Sequence, residues 1–351
     1  AHEHDLLLMG PDCGTAIING VGLCFANDVT QGSIGIVGAS GTGSQELSVQ
    51  IDALGAGISQ LIGVGGRDLS ERIGGRMMLD GMAMLAEDPE TEVIVLLSKQ
   101  PHESVANTVL ERAGQLGKPV VVCFIGADKP NNLPDNVTFV DNTFAAAATA
   151  VKSVCPQANP RPAVYELDYQ KIKDGFSSTQ TAIRGLFCGG TVCDEVFHVI
   201  KKADNNTFSN NAKDCEHKFT FGDTQKGNCL IDLGADEYTQ GRPHPMIDPT
   251  IRNGEILAVA QDPAAAVLLL DFELGFGSHE DPVGAALETV IQAQEDAAQA
   301  GRQLTVVAYV LGTDNDVQGK KEQVSKLTEA GVIVVESAID LASVALEIVK
   351  E

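Results

Sequence analysis

Basic side chains are scarce in this sequence. Twenty-four Lys and Arg stand against 48 Asp and Glu, a formal net charge of −24 over 351 residues. Nucleic-acid binding needs a clustered basic face, and adhesion to anionic lipid needs basic clusters, so neither class of partner is expected. Positive potential for an anionic ligand must then come from backbone amides and a few arginines. Long apolar runs are also missing, and none reaches the ~18–20 residues of a membrane span. The eight cysteines, at 13, 24, 123, 155, 188, 193, 215 and 229, form no Cys-x-x-Cys pair. A disulfide framework belongs to short secreted chains, so free thiols in a reducing cytoplasm are expected. The histidines are scattered and no Cys/His cluster has metal-ligand spacing, so no metal site is predicted. An initiator Met is absent too. The opening Ala1-His-Glu-His-Asp5-Leu-Leu-Leu-Met9 reads as the last strand of a domain whose earlier part is missing, in a processed or truncated product.

What is present is ordinary globular material, 44% apolar and long enough for two domains. From Gly32 onward the pattern alternates. Apolar runs at 34–37, 58–64, 93–97 and 120–125 are separated by helix-like stretches at 45–54, 74–86 and 103–116. Strands apolar throughout, joined by helices, predict an α/β fold with a parallel sheet covered on both faces. The polar, Pro-containing stretch 159–181 reads as a linker. The second half repeats the scheme, with strands at 185–187, 230–233, 267–272, 305–310 and 332–335. Its helices are expected at 192–202, 251–261, 282–300, 320–330 and 341–349. The Asn-rich 203–227 reads as an exposed excursion with a short hairpin. Asp88-Pro89 before Val93–Leu97 lines up in order and spacing with Asp262-Pro263 before Val267–Asp271, which indicates an internal duplication.

The most informative motif occurs twice. Ser33–Gly38 runs into Ala39-Ser40-Gly41-Thr42-Gly43, and Arg184–Phe187 runs into Cys188-Gly189-Gly190-Thr191. Each is a short apolar strand, a turn of small residues and a helix. The turn exposes backbone N–H groups where the helix dipole adds roughly half a positive charge, a setting suited to phosphate. Ser40, Gly41, Thr42 and Gly43, and Gly189, Gly190 and Thr191, are therefore the predicted phosphate or acyl-phosphate ligands. The first turn reads Gly-x-x-Gly-x-Gly rather than Gly-x-Gly-x-x-Gly. A dinucleotide site wants an acid at the tip of the next strand to hold the ribose, and here that tip is Gly63-Val-Gly65-Gly66-Arg67-Asp68. Glycines with Arg67 suit a closely approaching phosphate or acyl group better. A nicotinamide-dependent enzyme is thus the weaker alternative.

Other loops follow strand C-terminal ends, where open α/β sheets bind ligands. Arg242-Pro243-His244-Pro245 holds His244 in a stiff, extended segment. Arg242 is a phosphate-binding candidate and His244 an acid, base or polar contact; the competing reading is a rigid loop with an exposed His. Ser278-His279-Glu280-Asp281 places His279 beside two acids, though Ser278 or Asp281 serves equally as a helix cap. Lys99, at the matching strand end of the first half, is a possible anion contact. Cys188 at a helix start is either a lowered-pKa nucleophile or a small packed residue.

These motifs resemble the succinyl-CoA synthetase, or NDP-forming acyl-CoA synthetase, superfamily, and most closely its FdrA family. Gly10-Pro-Asp-Cys-Gly-Thr15 looks like the motif closing the CoA-binding domain of the synthetase α subunit. Gly35–Glu46 with Gly63–Gly66 looks like a first flavodoxin-like ligase domain, and Gly185–Thr191 like its counterpart in the β subunit. Gly-Ala-Ser-Gly-Thr-Gly and Gly241-Arg-Pro-His-Pro-Met-Ile-Asp-Pro249 look FdrA-like. The resemblance implies two tandem flavodoxin-like domains with parallel sheets, at 32–158 and 182–351. Residues 1–31 would be the tail of a Rossmann-type CoA-binding domain, and 159–181 the linker. It also implies that the helix starts at Ser40–Gly43 and Gly189–Thr191 face one pocket. The phosphohistidine loop is replaced by Gly126-Ala-Asp-Lys-Pro130, and the ATP-grasp domain is absent.

The activity so implied is acyl or phosphoryl transfer, most specifically carbamoyl transfer between oxalurate and phosphate in ureide and purine breakdown. Arg67, Arg242 and His244 are the side-chain candidates. An NDP-forming acyl-CoA synthetase subunit working with a separate nucleotide-binding chain, and a non-catalytic acyl-CoA-binding scaffold, are the alternatives. The expected ligands are a small anionic substrate and phosphate or an acyl phosphate, with CoA possible and no cofactor certain. Separate partner subunits, a homo-oligomer and a cytoplasmic location complete the expectation.

Overall fold

The computed structural model describes residues 4, 6–10, 13–220 and 226–350. Pro11 and Asp12 of the Gly-Pro-Asp motif lie outside the described residues. The chain divides into two compact units. One comprises Ala1–Arg161 with Gly275–Gly277, the other Pro162–Leu274 with Ser278–Glu351. Among the described residues no helix is long and apolar enough to cross a membrane.

The first unit contains β1 (Thr15–Ile18), β2 (Val21–Cys24), β3 (Gln31–Gly38), α1 (Gly41–Ala53), β4 (Ile58–Gly63), α2 (Arg76–Glu87), β5 (Val93–Lys99), α3 (Glu103–Gly114), β6 (Val120–Ile125), β7 (Val137–Val140) and α4 (Thr143–Val154). Its sheet runs β2-β1-β4-β3-β5-β6-β7. From β4 to β7 every pairing is parallel. Numbered within that parallel block the order is 2-1-3-4-5, the flavodoxin-like arrangement. The apolar strands bury both faces, as their unbroken hydrophobicity requires. Ile94 and Leu96 face α2 and α3, in a core with Met78, Met82 and Val109. Val93, Val95 and Leu97 face α1 and α4, in a core with Leu47, Ile51 and Ala147.

Residues 15–24, expected as the tail of a preceding domain, form a hairpin hydrogen-bonded into this same sheet, antiparallel to β4. Its two-residue turn is Asn19-Gly20, with φ of 49° and 74°. Both values lie in the left-handed region that a type I′ turn demands, and Asn-Gly tolerates it at little cost.

The second unit contains α5 (Tyr169–Asp174), β8 (Ala182–Phe187), α6 (Gly190–Ala203), β9 (Thr207–Ser209), β10 (Asn228–Asp232), α7 (Asp236–Thr239), α8 (Thr250–Ala260), β11 (Ala265–Glu273), α9 (Gly284–Gln299), β12 (Thr305–Leu311), α10 (Lys320–Glu329), β13 (Ile333–Val335) and α11 (Ala338–Val349). The sheet order is β13-β12-β11-β8-β10-β9, all parallel. Without the short edge strand β9 it is again 2-1-3-4-5, so the two units repeat one topology.

The excursion after α6 differs from expectation. Instead of a hairpin it contributes β9, parallel to β10, and an isolated bridge between Ser209 and Lys218. Nor is it all exposed: Thr207, Ser209, Asn210 and His217 are buried. Asn210 accounts for the docking. Its side chain donates to the Asp232 carbonyl at 2.9 Å and accepts the Asp232 N–H at 2.8 Å, in place of a further strand pairing.

Candidate functional site

In a 2-1-3-4-5 sheet the connections diverge between the first and third strands, and the crevice lies beyond their C-terminal ends. In the first unit these are β3 and β5. There the turn is closed by its own sequence: the Ser40 hydroxyl accepts the Gly43 N–H at 3.1 Å and caps α1. Gly38 leaves the space that the Ser44 hydroxyl occupies, so a larger residue there would require that hydroxyl to turn away. The next strand pairs Gly63 with Gly38, so the Arg67 turn emerges beside the Ser40 turn at the same sheet edge. Arg67 is exposed. Its neighbour Asp68 is buried and accepts the Met77 and Met78 N–H groups at 3.1 and 2.9 Å, tying the turn to α2.

The second unit, at the ends of β8 and β11, is built differently. Gly189 occupies the cap position of α6 and has no side chain to cap with. Asp271 supplies the missing acceptor: its two carboxylate oxygens take the N–H groups of Cys188 and Gly189, each at 2.8 Å. Of the predicted anion ligands Gly189, Gly190 and Thr191, the Gly189 amide is thus already held by a carboxylate of the chain itself. Asn211 closes the far side, donating to the Gly190 carbonyl at 3.2 Å and to Asp232 at 3.0 Å.

Beside Asp271 lies a buried polar cluster that the sequence reading did not single out. Arg252, 2% exposed on α8, reaches the Cys188 sulfur at 2.7 Å, the Asp271 carbonyl at 2.5 Å and its carboxylate at 3.5 Å. Its guanidinium carbon stands 4.4 Å from the Phe272 ring centroid, a cation–π contact. Glu273, also 2% exposed, hydrogen-bonds Asp271. Burial, reinforced by Asp271, pushes its carboxyl well above the ordinary range and so favours the protonated form. Cys188, Asp271 and Glu273 together offer three candidate metal ligands. The Arg252 guanidinium already supplies the positive charge at that point, and burial disfavours ionising Glu273. The cluster does not suit a cation.

The loops predicted after the strand ends meet at this cluster. Pro245 and Met246 from one, His279 and Pro282 from the other, line a cavity whose inner wall includes Arg252 and Glu273. The two loops are joined where the His279 N–H donates to the Met246 carbonyl at 2.8 Å. His244 is half-buried, its Nδ1 accepting the Met246 N–H at 3.3 Å. Burial lowers its pKa, so its ring is neutral above mildly acidic pH. Gly234 must lack a side chain to admit it, since a Cβ would stand 2.4 Å from His244 Nε2. Arg242 is exposed and does not line the cavity. Cys188 is no nucleophile here: burial raises its thiol pKa well above the ordinary value despite the neighbouring Arg252.

Comparison with known proteins agrees with this architecture. The CoA-ligase family profile matches residues 186–347, and the CoA binding domain profile matches 29–126. The uncharacterized protein YahF of Escherichia coli is 49% identical over 99% of this chain and 68% of its own length. The chain belongs to the same family as YahF, within the CoA-ligase superfamily. The malate–CoA ligase α subunit of Methylorubrum extorquens is 30% identical over 36% of this chain and 43% of its own length. The succinate–CoA ligase α subunit 1 of Archaeoglobus fulgidus is 31% identical over 35% and 42%. The chain therefore spans under half of those ligase subunits. In this chain the CoA-binding match covers Ser40–Gly43 and Arg67. The ligase match covers Gly189–Thr191, Arg242, His244 and the buried cluster. Arg67 thus belongs to one unit, and Arg242 and His244 to the other.

Two signals in the sequence point to the missed residues. Arg252 shares the buried stripe of α8 with Ile256, Val259 and Ala260, a position that otherwise takes an apolar residue. Asp271 and Glu273 end a strand that is buried at every position. Charges in such places are kept only when paired.

Proposed function

We propose that this chain is an acyl-transfer subunit of the CoA-ligase type that transfers a carbamoyl group between oxalurate and phosphate. In that reaction a phosphate oxygen attacks the carbamoyl carbon of oxalurate. The bond from that carbon to the oxamate nitrogen breaks, the nitrogen takes a proton, and carbamoyl phosphate and oxamate leave. The single observation that carries the reading is the loop Gly126–Pro130 after β6. It has no histidine to carry a phosphoryl group, while the Gly-rich turn at Ser40–Gly43 retains its form.

In this reading the α1 N-terminus binds phosphate, and Arg67 adds a positive charge at the same edge. Donors aimed at the developing oxyanion lower the barrier, each typically by about 3–4 kcal/mol. In the second unit, taken by itself, Gly190 and Thr191 are the candidate ligands at the α6 start, and Arg242 and His244, on the loop between β10 and α8, are the side-chain candidates. Partner subunits complete the enzyme.

The assay is phosphate-dependent cleavage of oxalurate by the full chain with its natural partner subunits, followed as carbamoyl phosphate. Turnover that falls at least tenfold in Arg67→Ala supports the reading, and turnover that is absent or unchanged defeats it. A second reading rests on the CoA-binding match over residues 29–126 and on the α-subunit relatives. In it the chain is an acyl-CoA synthetase subunit served by a separate nucleotide-binding chain. Acyl-CoA formation dependent on CoA and nucleoside triphosphate would favour it.

A further inference from the structure

His244 and His279 sit on the two loops joined at the Met246 carbonyl, and the chain fixes both rings in the same way. In each, the ring Nδ1 accepts the main-chain N–H two residues on. Met246 N–H donates to His244 at 3.3 Å, and Asp281 N–H donates to His279 at 3.1 Å. A nitrogen that accepts an N–H offers its lone pair and carries no proton. In a neutral imidazole the proton then stands on the other nitrogen, Nε2.

His279 is held at two further points. Its own N–H donates to the Met246 carbonyl at 2.8 Å, and its carbonyl accepts from Gln318 Nε2 at 3.2 Å. The ring is half-buried, and its Nε2 has no hydrogen-bond partner among the described residues. A polar group held firmly from behind, with its far end unbound, is pre-organised to meet a ligand. It lies beyond the C-terminal end of β11, the side of an open α/β sheet where ligands bind.

The locked form limits the chemistry. A general base needs a free lone pair. Nε2 has none, and Nδ1 has committed its own to the main chain. Protonating Nδ1 would set two N–H groups against each other and cost the loop its hydrogen bond. A general acid must give up a proton, and a neutral ring that did so would be left as an imidazolate. What remains is hydrogen-bond donation from Nε2 to an oxygen with no proton changing hands, a role that a neutral imidazole can fill in catalysis.

We infer that His279 is a further substrate-contacting residue, and that it and His244 act as neutral Nε2–H donors to an acceptor oxygen of the substrate rather than as bases. The identity of that oxygen rests on the proposed carbamoyl transfer, in which it is the carbamoyl carbonyl that becomes an oxyanion as phosphate attacks. The proton taken by the leaving oxamate nitrogen then comes from neither histidine. The attacking hydrogenphosphate carries it, so atoms and charge balance across the step.

The experiment uses the full chain with its natural partner subunits, the histidine rings labelled with ¹⁵N, and long-range proton–nitrogen spectra at neutral pH. Expected are a bare Nδ1 and a protonated Nε2 in both rings, and a His279 Nε2 signal that shifts on titration with oxalurate. A proton on Nδ1 of either ring, or a His279 signal unmoved by oxalurate, would overturn the assignment.

Two variants separate the donor from the loop. His279→Asn supplies a side-chain oxygen that accepts the Asp281 N–H as Nδ1 does, but no distal donor. His279→Gln reaches further with an amide N–H and gives up that acceptor. The Asn variant should keep the wild-type Tm and lose turnover roughly a hundredfold, while the Gln variant melts lower yet turns over at least ~tenfold faster than Asn. Full turnover by the Asn variant, or equal loss in both, contradicts donation from Nε2. If the Gln variant does not fold, the tautomers and the oxalurate shift decide on wild-type protein. The expected tautomers and shift without carbamoyl phosphate formation would retain the donors and sink only the proposed reaction.

Discussion

The guanidinium of Arg252 and the carboxylate of Asp271 lie 3.5 Å apart with side chains 3% and 0% exposed. Asp271 also fixes the Cys188 and Gly189 amides, so one carboxylate orders the turn and balances the buried cation. The worth of such a pair shows when one member is removed. Breaking a buried ion pair strands the other charge and typically costs about 3–5 kcal/mol. Asp271→Asn is expected to lose that much in urea unfolding. Asp271→Leu, which copies Leu97 at the aligned position of the first half, should do no better. An unchanged urea midpoint in both would show that the pair contributes nothing to folding.

Glu273 makes the opposite prediction. Its folded pKa lies above the unfolded value of about 4.3. Its contribution is therefore complete below that value and is lost as pH rises through the folded pKa. Glu273→Gln removes the titration and keeps a donor for Asp271. The variant should match wild type near the unfolded pKa and exceed it in Tm at higher pH. Parallel Tm profiles for the two proteins would contradict the assignment of a protonated Glu273.

The repeated α/β scheme was legible because fully buried parallel strands are apolar throughout, and runs such as Val120–Ile125 leave no other reading. Both Gly-rich turns and the Pro243–Pro245 and Ser278–Asp281 loops could be placed at strand ends for the same reason. The cluster was not legible as a cluster. Asp271 and Glu273 stand 19 and 21 positions after Arg252 along the chain, and only the packing of α8 on β11 brings them together. The hairpin at 15–24 was obscured for a related reason. Its strands are four residues each, too short for periodicity to separate a sheet edge from a chain end.

Thiol reactivity follows from the same geometry. Alkylation needs a thiolate and access. Cys188 has neither, being buried with its thiol pushed up by desolvation. Cys24 and Cys215 are exposed. Brief iodoacetamide treatment of native protein should label Cys24 and Cys215 while sparing Cys188, with labelling of Cys188 appearing only in denaturant. Peptide mass spectrometry reads the order directly, and early labelling of Cys188 would restore it as a candidate nucleophile.

The Ser40 cap separates stability from ligand binding in the first unit. Its hydroxyl accepts the Gly43 N–H at 3.1 Å, and replacing such a cap by Ala costs typically about 1 kcal/mol, by Gly only a few tenths. Ser40→Ala should therefore lower Tm measurably more than Ser40→Gly. If α1 binds phosphate as proposed, its dipole and main-chain amides persist in both variants and supply most of the affinity. Phosphate should then still raise the Tm of both, by amounts that follow its concentration. Equal destabilisation by Ala and Gly would argue against the cap. A phosphate-induced shift seen in wild type but absent from both variants would assign the anion to the hydroxyl rather than to the helix start.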